Sequence, residues 1–509
     1  MKPSTELFNL INSLSKSEKR FFKLSSSLQT GEKNYLKLFD IIEKQTAYNE
    51  EAIKKTFAKE KFIKHLPSEK NHLYKLILKS LRGFHADNSI SSILKQEIKN
   101  VEILYRKALY KECVKFIKRA KKIANDHEKF YYLFELISWE KLLIEEAFEE
   151  GEFNKDLDLL IKEEMEVIEK LRNLAEYHMI YSRINYIFRS GGFSRNENER
   201  LEVDKIANHH LIVGKNTALS DRAASICYYI QGFCNATKRD FSTAMTKFKK
   251  TKAILDRNPL IKSDLPERYV RTLKNLVFCH IDNHDLKRAQ ELVDELNSMS
   301  NKKGFNSIDI RVKIFTASCG TQLVIYDKLG EYQKGLKLAE EMIKGMNEYK
   351  SKLNKEQTIL FYYHIGYVYF GAGLYKESLK WVNKILNDNE QILRQDIYSF
   401  ARLFNLILHY ELGNIDLLEY IIKSTSRYLK KTEKDYQSED VLIKYLKELI
   451  KLDNEIARIE IYEKAKAEFE ELFKSKKEGI ILQFIDVISW LTSKIENISF
   501  EQAIKNRSF

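Results

Sequence analysis

A single turn signature, a small or polar residue followed by an apolar residue and then a second apolar run at helical spacing, returns along this chain at intervals of about 40 to 47 residues. Its turn positions are Ala108, Gly151, Gly192, Arg239, His284, Gly330, Gly373 and Gly413. The stretch Gln357 to Asn387 shows one unit in full. Tyr362, Ile365, Gly366 and Tyr369 share a face of a first helix, Gly373 and Tyr375 mark a tight turn, and Ser378, Val382 and Ile385 line a second helix. A small residue such as Gly366 lets the two helices approach closely, and large neighbours fill the remaining space. One such hairpin cannot bury its own apolar faces, so the pattern predicts a stack of them.

Further copies carry the same chemistry: Gly232 with Phe241, Ala244 and Phe248; Leu276 with Leu286, Ala289 and Val293; Tyr326 with Gly330, Tyr332 and Ala339. This spacing of aromatic, Leu-Gly-like and small-to-large positions resembles the tetratricopeptide (TPR) pattern over roughly residues 100 to 430, with a longer period than that family's 34 residues. The resemblance implies an all-α fold, a right-handed α-solenoid of TPR-like helical hairpins. It is flanked by a basic N-terminal helical module (residues 1–99) and by C-terminal capping helices (residues 431–509), with about eight hairpins over residues 100–430 between them.

Composition agrees with helices alone. Only 4 prolines and 17 glycines interrupt 509 residues, and no long stretch alternates apolar with polar. The five cysteines (Cys113, Cys227, Cys234, Cys279, Cys319) are scattered without a CxxC pair, which suits buried thiols in a reducing compartment. The start has no apolar core before a cleavage site, and Gly479 to Leu491 is too short to span a bilayer. The expected location is cytoplasmic.

Charge is distributed unevenly. Residues 1–124 hold 27 lysines and arginines against 13 acidic residues, a net of +14 where the whole chain carries +13. Five helices are expected at Ser4 to Ser13, Ser17 to Leu28, Lys33 to Gln45, Asn49 to Lys64 and Ser68 to Phe84, with Ser17 and Asn49 as N-caps. Basic residues interleave with Phe in three clusters: Lys16, Lys19, Arg20 and Lys23; Lys54, Lys55, Lys61 and Lys64; and Lys115, Lys118, Arg119 and Lys122. They are candidates for an anionic partner, and lysine-rich charge suits phosphate-backbone contact on RNA or a ribonucleoprotein more than base reading.

In proteins similar to the TPR family the first helix of each repeat lines a concave groove. That resemblance points to Tyr229, Phe233, Arg271, Lys274, Phe278, Tyr363, Tyr367, Phe370, Leu403, Ile407 and Tyr410 as groove residues, an aromatic surface with a local positive spot, suited to a protein or peptide ligand. The two-carboxylate clamp of chaperone-binding members is not matched at these positions. Beyond Lys431 the signature stops. Glu433 to Asp440 reads as a loop, Val441 to about Ala467 and Phe469 to Lys477 as charged helices, and Gly479 to Ile495 as a final apolar helix.

No constellation calls for chemistry. Gly214-Lys215-Asn216-Thr217 follows no strand, and the His280–His284 pair lacks a third ligand. Neither a cofactor nor an enzyme is expected. Two readings remain open: a non-catalytic scaffold or adaptor with an anionic partner at its N-terminal region, and an effector-responsive regulator. The second needs a DNA-binding helix-turn-helix within residues 35–84, with Asn49 to Lys64 as its recognition helix.

Overall fold

The computed structural model describes residues 4–27, 33–147, 157–191, 197–350, 352–388, 394–431, 436–475 and 478–507. Every regular element among the described residues is helical, so the all-α class holds. The turn positions Gly151 and Gly192 lie outside these residues.

The chain forms two compact units, Met1–Ile161 and Lys162–Phe509. The first contains α1 (Glu6–Ser13), α2 (Lys16–Ser27), α3 (Asn34–Glu43), α4 (Glu50–Thr56), a 3-10 turn (Lys61–His65), α5 (Leu66–Phe84), α6 (Ile90–Arg106), α7 (Tyr110–Asp126) and α8 (Phe130–Ala147). The boundary at residue 99 falls inside α6.

The second unit takes all but the first turn of α9 (Leu157–Gly191). It continues with α10 (Glu197–Ala207), α11 (His210–Val213), α12 (Asp221–Thr237), α13 (Phe241–Arg257), α14 (Pro259–Asp264), α15 (Pro266–Asp282), α16 (Leu286–Ser298), α17 (Ile308–Leu329) and α18 (Tyr332–Glu348). It ends with α19 (Lys355–Gly371), α20 (Tyr375–Leu386), α21 (Gln395–Glu411), α22 (Ile415–Lys431), α23 (Gln437–Leu449), α24 (Glu455–Leu472), α25 (Val487–Ile495) and α26 (Phe500–Asn506).

The turn positions read from the sequence are where the backbone becomes left-handed. Ala108, Arg239, His284, Gly330, Gly373 and Gly413 have φ of 55°, 62°, 57°, 62°, 75° and 69°. At each, the next residue's N–H donates to a carbonyl five residues back: Leu109 to Leu104, Asp240 to Asn235, Asp285 to His280, Glu331 to Tyr326, Leu374 to Tyr369 and Asn414 to His409, at 2.8–3.0 Å. This is the Schellman closure, which satisfies carbonyls left open at a helix end. It joins α6 to α7, α12 to α13, α15 to α16, α17 to α18, α19 to α20 and α21 to α22 as six helical hairpins. The hairpins of unit two pack in series, α13 and α15, α15 and α17, then α17 and α19 being neighbours.

Close approach within a hairpin depends on the small residues. The Ser378 hydroxyl donates to the Gly366 carbonyl at 2.6 Å, and a Cβ on Gly366 would meet Val382 at 3.4 Å. Gly232 lies against the Phe248 ring, which is fully buried.

Several expectations are corrected. The N-cap of α2 is Ser15, not Ser17: the Glu18 N–H donates to the Ser15 hydroxyl at 3.2 Å, and the Ser15 N–H donates to the Glu18 carboxylate at 2.6 Å. That reciprocal pair is a capping box. Asn49 does cap α4, accepting from the Ala52 N–H at 3.0 Å. The helix expected over Asn49 to Lys64 breaks after Thr56 and resumes only as the 3-10 turn. Phe57 and Phe62, five residues apart, would diverge on one continuous helix; the break brings their rings to 5.2 Å and buries Phe62. Residues 437–440, expected in a loop, open α23, while residues 433–435 lie outside the described residues. The helix expected over Val441 to Ala467 divides where the Asn454 side chain caps α24, and the one expected over Gly479 to Ile495 divides where Asp486 caps α25.

Two glycines separate steric from conformational cost. A Cβ at Gly371 would overlap the Tyr332 ring, which is fully buried and held by its 2.6 Å hydrogen bond to Asp327. At Gly373 nothing lies within 4 Å, and only φ of 75° opposes a side chain. Gly371→Ala is expected to cost about 3 kcal/mol and Gly373→Ala about 1 kcal/mol, read from urea midpoints at constant m.

Candidate binding surfaces

The twelve basic candidates of the first unit divide by partner. Lys19 pairs with Glu43 at 3.2 Å, Lys23 with Asp40 at 2.8 Å and Glu43 at 2.9 Å, Lys54 with Glu50 and Glu51, and Arg119 with Glu97 at 2.6 Å. Lys16, Arg20, Lys55, Lys61, Lys64, Lys115, Lys118 and Lys122 are exposed, and among the described residues no carboxylate pairs with them. On α7 the free lysines form a stripe opposite the buried Cys113, Ile117, Ala120 and Ala124. On α2 half the stripe is already neutralised by α3. The three clusters occupy separate elements with different neighbours.

Most of the aromatic groove is interior. Tyr229, Phe233, Tyr363, Tyr367 and Phe370 are buried, as are Leu403 and Ile407. Tyr229 and Phe233 pack against Tyr181 and Phe188 of α9 and Phe248 of α13, whereas the residues of α19 and α21 are covered by the chain's own C-terminal segment. The Tyr363 hydroxyl donates to the Phe484 carbonyl at 3.1 Å, and the Asp486 N–H donates to the Tyr367 hydroxyl at 2.9 Å. Phe484 stacks on Phe400 at 4.1 Å, and Phe500 meets Phe370 edge-on at 5.1 Å. The half-buried Tyr410 meets Trp490 and the hydroxyl of Tyr462. These aromatics cannot meet a partner while the segment stays in place, so the groove expected there is occupied by this chain.

Asp486 holds that segment. Its carboxylate accepts two bonds from Arg507, at 2.9 and 2.7 Å, and caps α25 through the Ser489 N–H and hydroxyl at 3.0 and 2.9 Å. Glu411 fixes the next turn by accepting from the Trp490 indole and the Lys494 ammonium, each at 2.6 Å.

Arg271, Lys274 and Phe278 have a different setting. On α15 the buried residues include Tyr269, Val270, Leu273, Leu276 and Val277, which leaves Glu267, Arg268, Arg271, Lys274, Asn275 and Phe278 on the side not committed to the core. All six are half-buried. Arg268 donates to the Ser225 hydroxyl of α12 at 2.9 Å, Arg271 to the Tyr181 hydroxyl of α9, and Asn275 to the Tyr229 hydroxyl at 3.1 Å. Glu267 is shared by Arg271 at 2.5 Å and by Lys313 of α17 at 2.9 Å. Nearby, Arg394 is clamped by Asp396 at 2.7 Å and reaches Glu356 of α19 at 3.4 Å.

Sequence reading marked Arg271 and Lys274 but missed Arg268, His364 and Arg394. Arg268 was legible, since positions 268, 271, 275 and 278 form one helical side. His364 and Arg394 come from other hairpins, which only the fold brings near Lys274.

Burial, with like charge beside it, alters these groups. Desolvation, then Arg222 and Arg271, pulls Arg268 down to about 10, with nearby tyrosines opposing. Desolvation with Arg394 and Arg271 lowers Lys274, against the attraction of Glu356. Desolvation, Lys274 and Arg394 push His364 down to about 4. His364 is therefore neutral at pH 7, and each proton added here joins an existing positive charge.

The weaker chemical candidates resolve into structure. His280 bonds Asp285 at 2.9 Å beside the left-handed His284. Gly214 ends α11 with no strand before it, and Cys113, Cys227, Cys234, Cys279 and Cys319 are free thiols. Among the described residues no three or more His, Cys, Asp or Glu side chains gather as a metal site, and no helix is long and apolar enough to cross a membrane. No known family model matches the chain, and no curated protein is significantly similar to it.

Two measurements probe these sites. Asp486→Asn, which keeps the shape and removes the charge facing Arg507, is expected to lower stability by about 2–4 kcal/mol by urea titration. For His364, between about pH 4 and the unfolded histidine value of about 6.5 the unfolded chain holds a proton that the folded chain does not. Stability is therefore complete above that window and falls as pH drops through it. His178, His209 and His409 are also lowered and act with the same sign. The His364→Gln variant should thus lose about 1–2 kcal/mol less than wild type between pH 7 and pH 5; equal losses would show that His364 does not contribute.

Proposed function

We propose that this chain is a non-catalytic scaffold, with a TPR-like right-handed solenoid in its second unit that binds a protein or peptide segment and a basic N-terminal region that contacts an anionic partner such as RNA or a ribonucleoprotein. The observation that carries the anionic half is that eight of the twelve basic candidates are exposed and unpaired among the described residues of the first unit, three of them forming the α7 stripe. Exposed lysines cost little to keep in water and gain most where they displace counterions from a phosphate backbone. The serial packing of helical hairpins supports the scaffold half, because repeats stacked in this way present long surfaces without enclosing a reaction chamber. The competing regulator is not favoured: the recognition helix it requires at Asn49 to Lys64 is broken.

The test is filter binding of a labelled mixed-sequence single-stranded RNA to the full chain between 50 and 200 mM salt. Wild type should bind with an affinity that falls steeply with salt. Lys115→Glu/Lys118→Glu/Lys122→Glu should weaken binding about ten-fold or more, with a log–log salt slope shallower by about 2. Helical circular dichroism should be unchanged, since all three side chains are exposed. Equal binding by the triple variant would remove α7 from the footprint. Absence of salt-sensitive binding by wild type would end the RNA reading.

A further inference from the structure

The side of α15 turned away from the core carries more positive charge than the described carboxylates around it neutralise. Around it stand Arg189, Arg222, Arg268, Arg271, Lys274, Lys313 and Arg394. Asp264 serves Arg222, Glu267 serves Arg271 and Lys313, Asp309 also serves Lys313, Asp396 serves Arg394, and Glu356 serves Arg394 and Arg189. Among the described residues seven cations face five carboxylates. The surplus of two has an address, because Arg268 and Lys274 are the two with no carboxylate within 4 Å among the described residues. Both are desolvated and repelled by neighbouring arginines. A cation kept there lowers the stability of the unliganded fold, and an incoming negative group would reverse that cost.

We propose that this side of α15 binds an acidic peptide segment through two side-chain carboxylates, one on Arg268 and one on Lys274. The inference rests on reading the second unit as a peptide-binding scaffold and names the class of peptide.

Spacing and neighbours favour this ligand over others. Six residues separate the two cations, about 9 Å along the helix axis. One compact phosphate is too small to engage both, and Arg268 is also tied toward Ser225. Two carboxylates three residues apart on a polyproline II segment share one face and lie about 9 Å apart. The phosphodiesters of a single-stranded nucleic acid are also separate monoanions, but their bases need open aromatic faces for stacking. Here those faces are taken: Lys274 stands over Phe278 at 5.8 Å, and the Arg394 guanidinium over Phe188 at 5.2 Å. Asn275 and Arg271 are already engaged with Tyr229 and Tyr181, and Arg268 donates to Ser225 and the Arg222 carbonyl, so the charges without a described carboxylate are those of Arg268 and Lys274.

The test is fluorescence anisotropy of the full-length chain with a labelled eight-residue Gly/Ser peptide bearing Glu at two positions three residues apart. Controls are the same peptide with one Glu, with both changed to Gln, and a labelled oligothymidylate. The di-acidic peptide should bind at least ten-fold more tightly than the Gln peptide. Arg268→Gln and Lys274→Met should each remove most of that difference. Lys274→Met should also melt at or above the wild-type temperature without peptide, because it removes an unpaired desolvated cation. A lower melting temperature would make Lys274 a structural strut and overturn the site. So would equal binding of the Glu and Gln peptides, undiminished binding by Lys274→Met, or absence of di-acidic binding at millimolar peptide. Oligothymidylate bound more tightly than the di-acidic peptide, and weakened by Lys274→Met, would give the site to nucleic acid. RNA retention lost in the Lys115/Lys118/Lys122 variant is read on the other unit, so its failure is separable from failure here.

Discussion

Each described hairpin depends on one residue that crosses into the left-handed region at the end of its first helix. The crossing costs an L-residue about 1–2 kcal/mol, and three of the six positions, Ala108, Arg239 and His284, accept that cost without glycine. The return is the hydrogen bond from the following N–H to a carbonyl five residues back. It fixes the angle at which the second helix leaves. With that angle set, Gly232 can meet Phe248 and Gly366 can meet Ser378 and Val382, so the core of each hairpin follows from its turn. The side of α15 left out of the core is set by its packing between α13 and α17.

The C-terminal segment changes what the inner aromatics mean. Tyr363, Tyr367 and Phe370 have the spacing of a ligand-lining face, yet their rings and hydroxyls are engaged by Phe484, Asp486 and Phe500. A repeat array must cover its last apolar face with something. Here the covering residues do not stop at the terminal hairpin: a Cβ on Gly330 would meet the backbone of Glu501 and the side chain of Lys505, two hairpins before α21. Asp486 holds this arrangement because one carboxylate serves Arg507 and the start of α25 together, so neither contact is lost without weakening the other.

The hairpins were legible in the sequence because their information is local. A turn position, a small residue and an apolar stripe at helical period lie within about forty residues, and backbone sterics read them the same way wherever they occur. The Ser15–Glu18 capping box was equally local; it was overlooked because the cap was placed two residues too late, at Ser17. What could not be read was which face meets which. The occupation of Tyr363 by Phe484 joins residues 121 apart in sequence, and no periodicity encodes it. The crowding around Lys274 needs Arg271, Arg394 and the ring of His364 from separate hairpins. Arg268 was the exception, visible as one more member of a side already marked by Arg271.

Positive charge in this protein exists in two physical states. On α7 the lysines stand in water, where the medium screens them and their mutual repulsion is small. On α15 the cations are drawn together by a fold whose hydrophobic faces dictate the spacing, and the carboxylates of α17 and α19 answer only some of them. Screening weakens where protein replaces water, so the same unit of charge acts more strongly on α15 than on α7. The two surfaces should therefore respond differently to salt: an interaction on α7 is set mainly by counterions, whereas one on α15 is set by how fully a ligand's carboxylates replace the hydration that Arg268 and Lys274 have already lost.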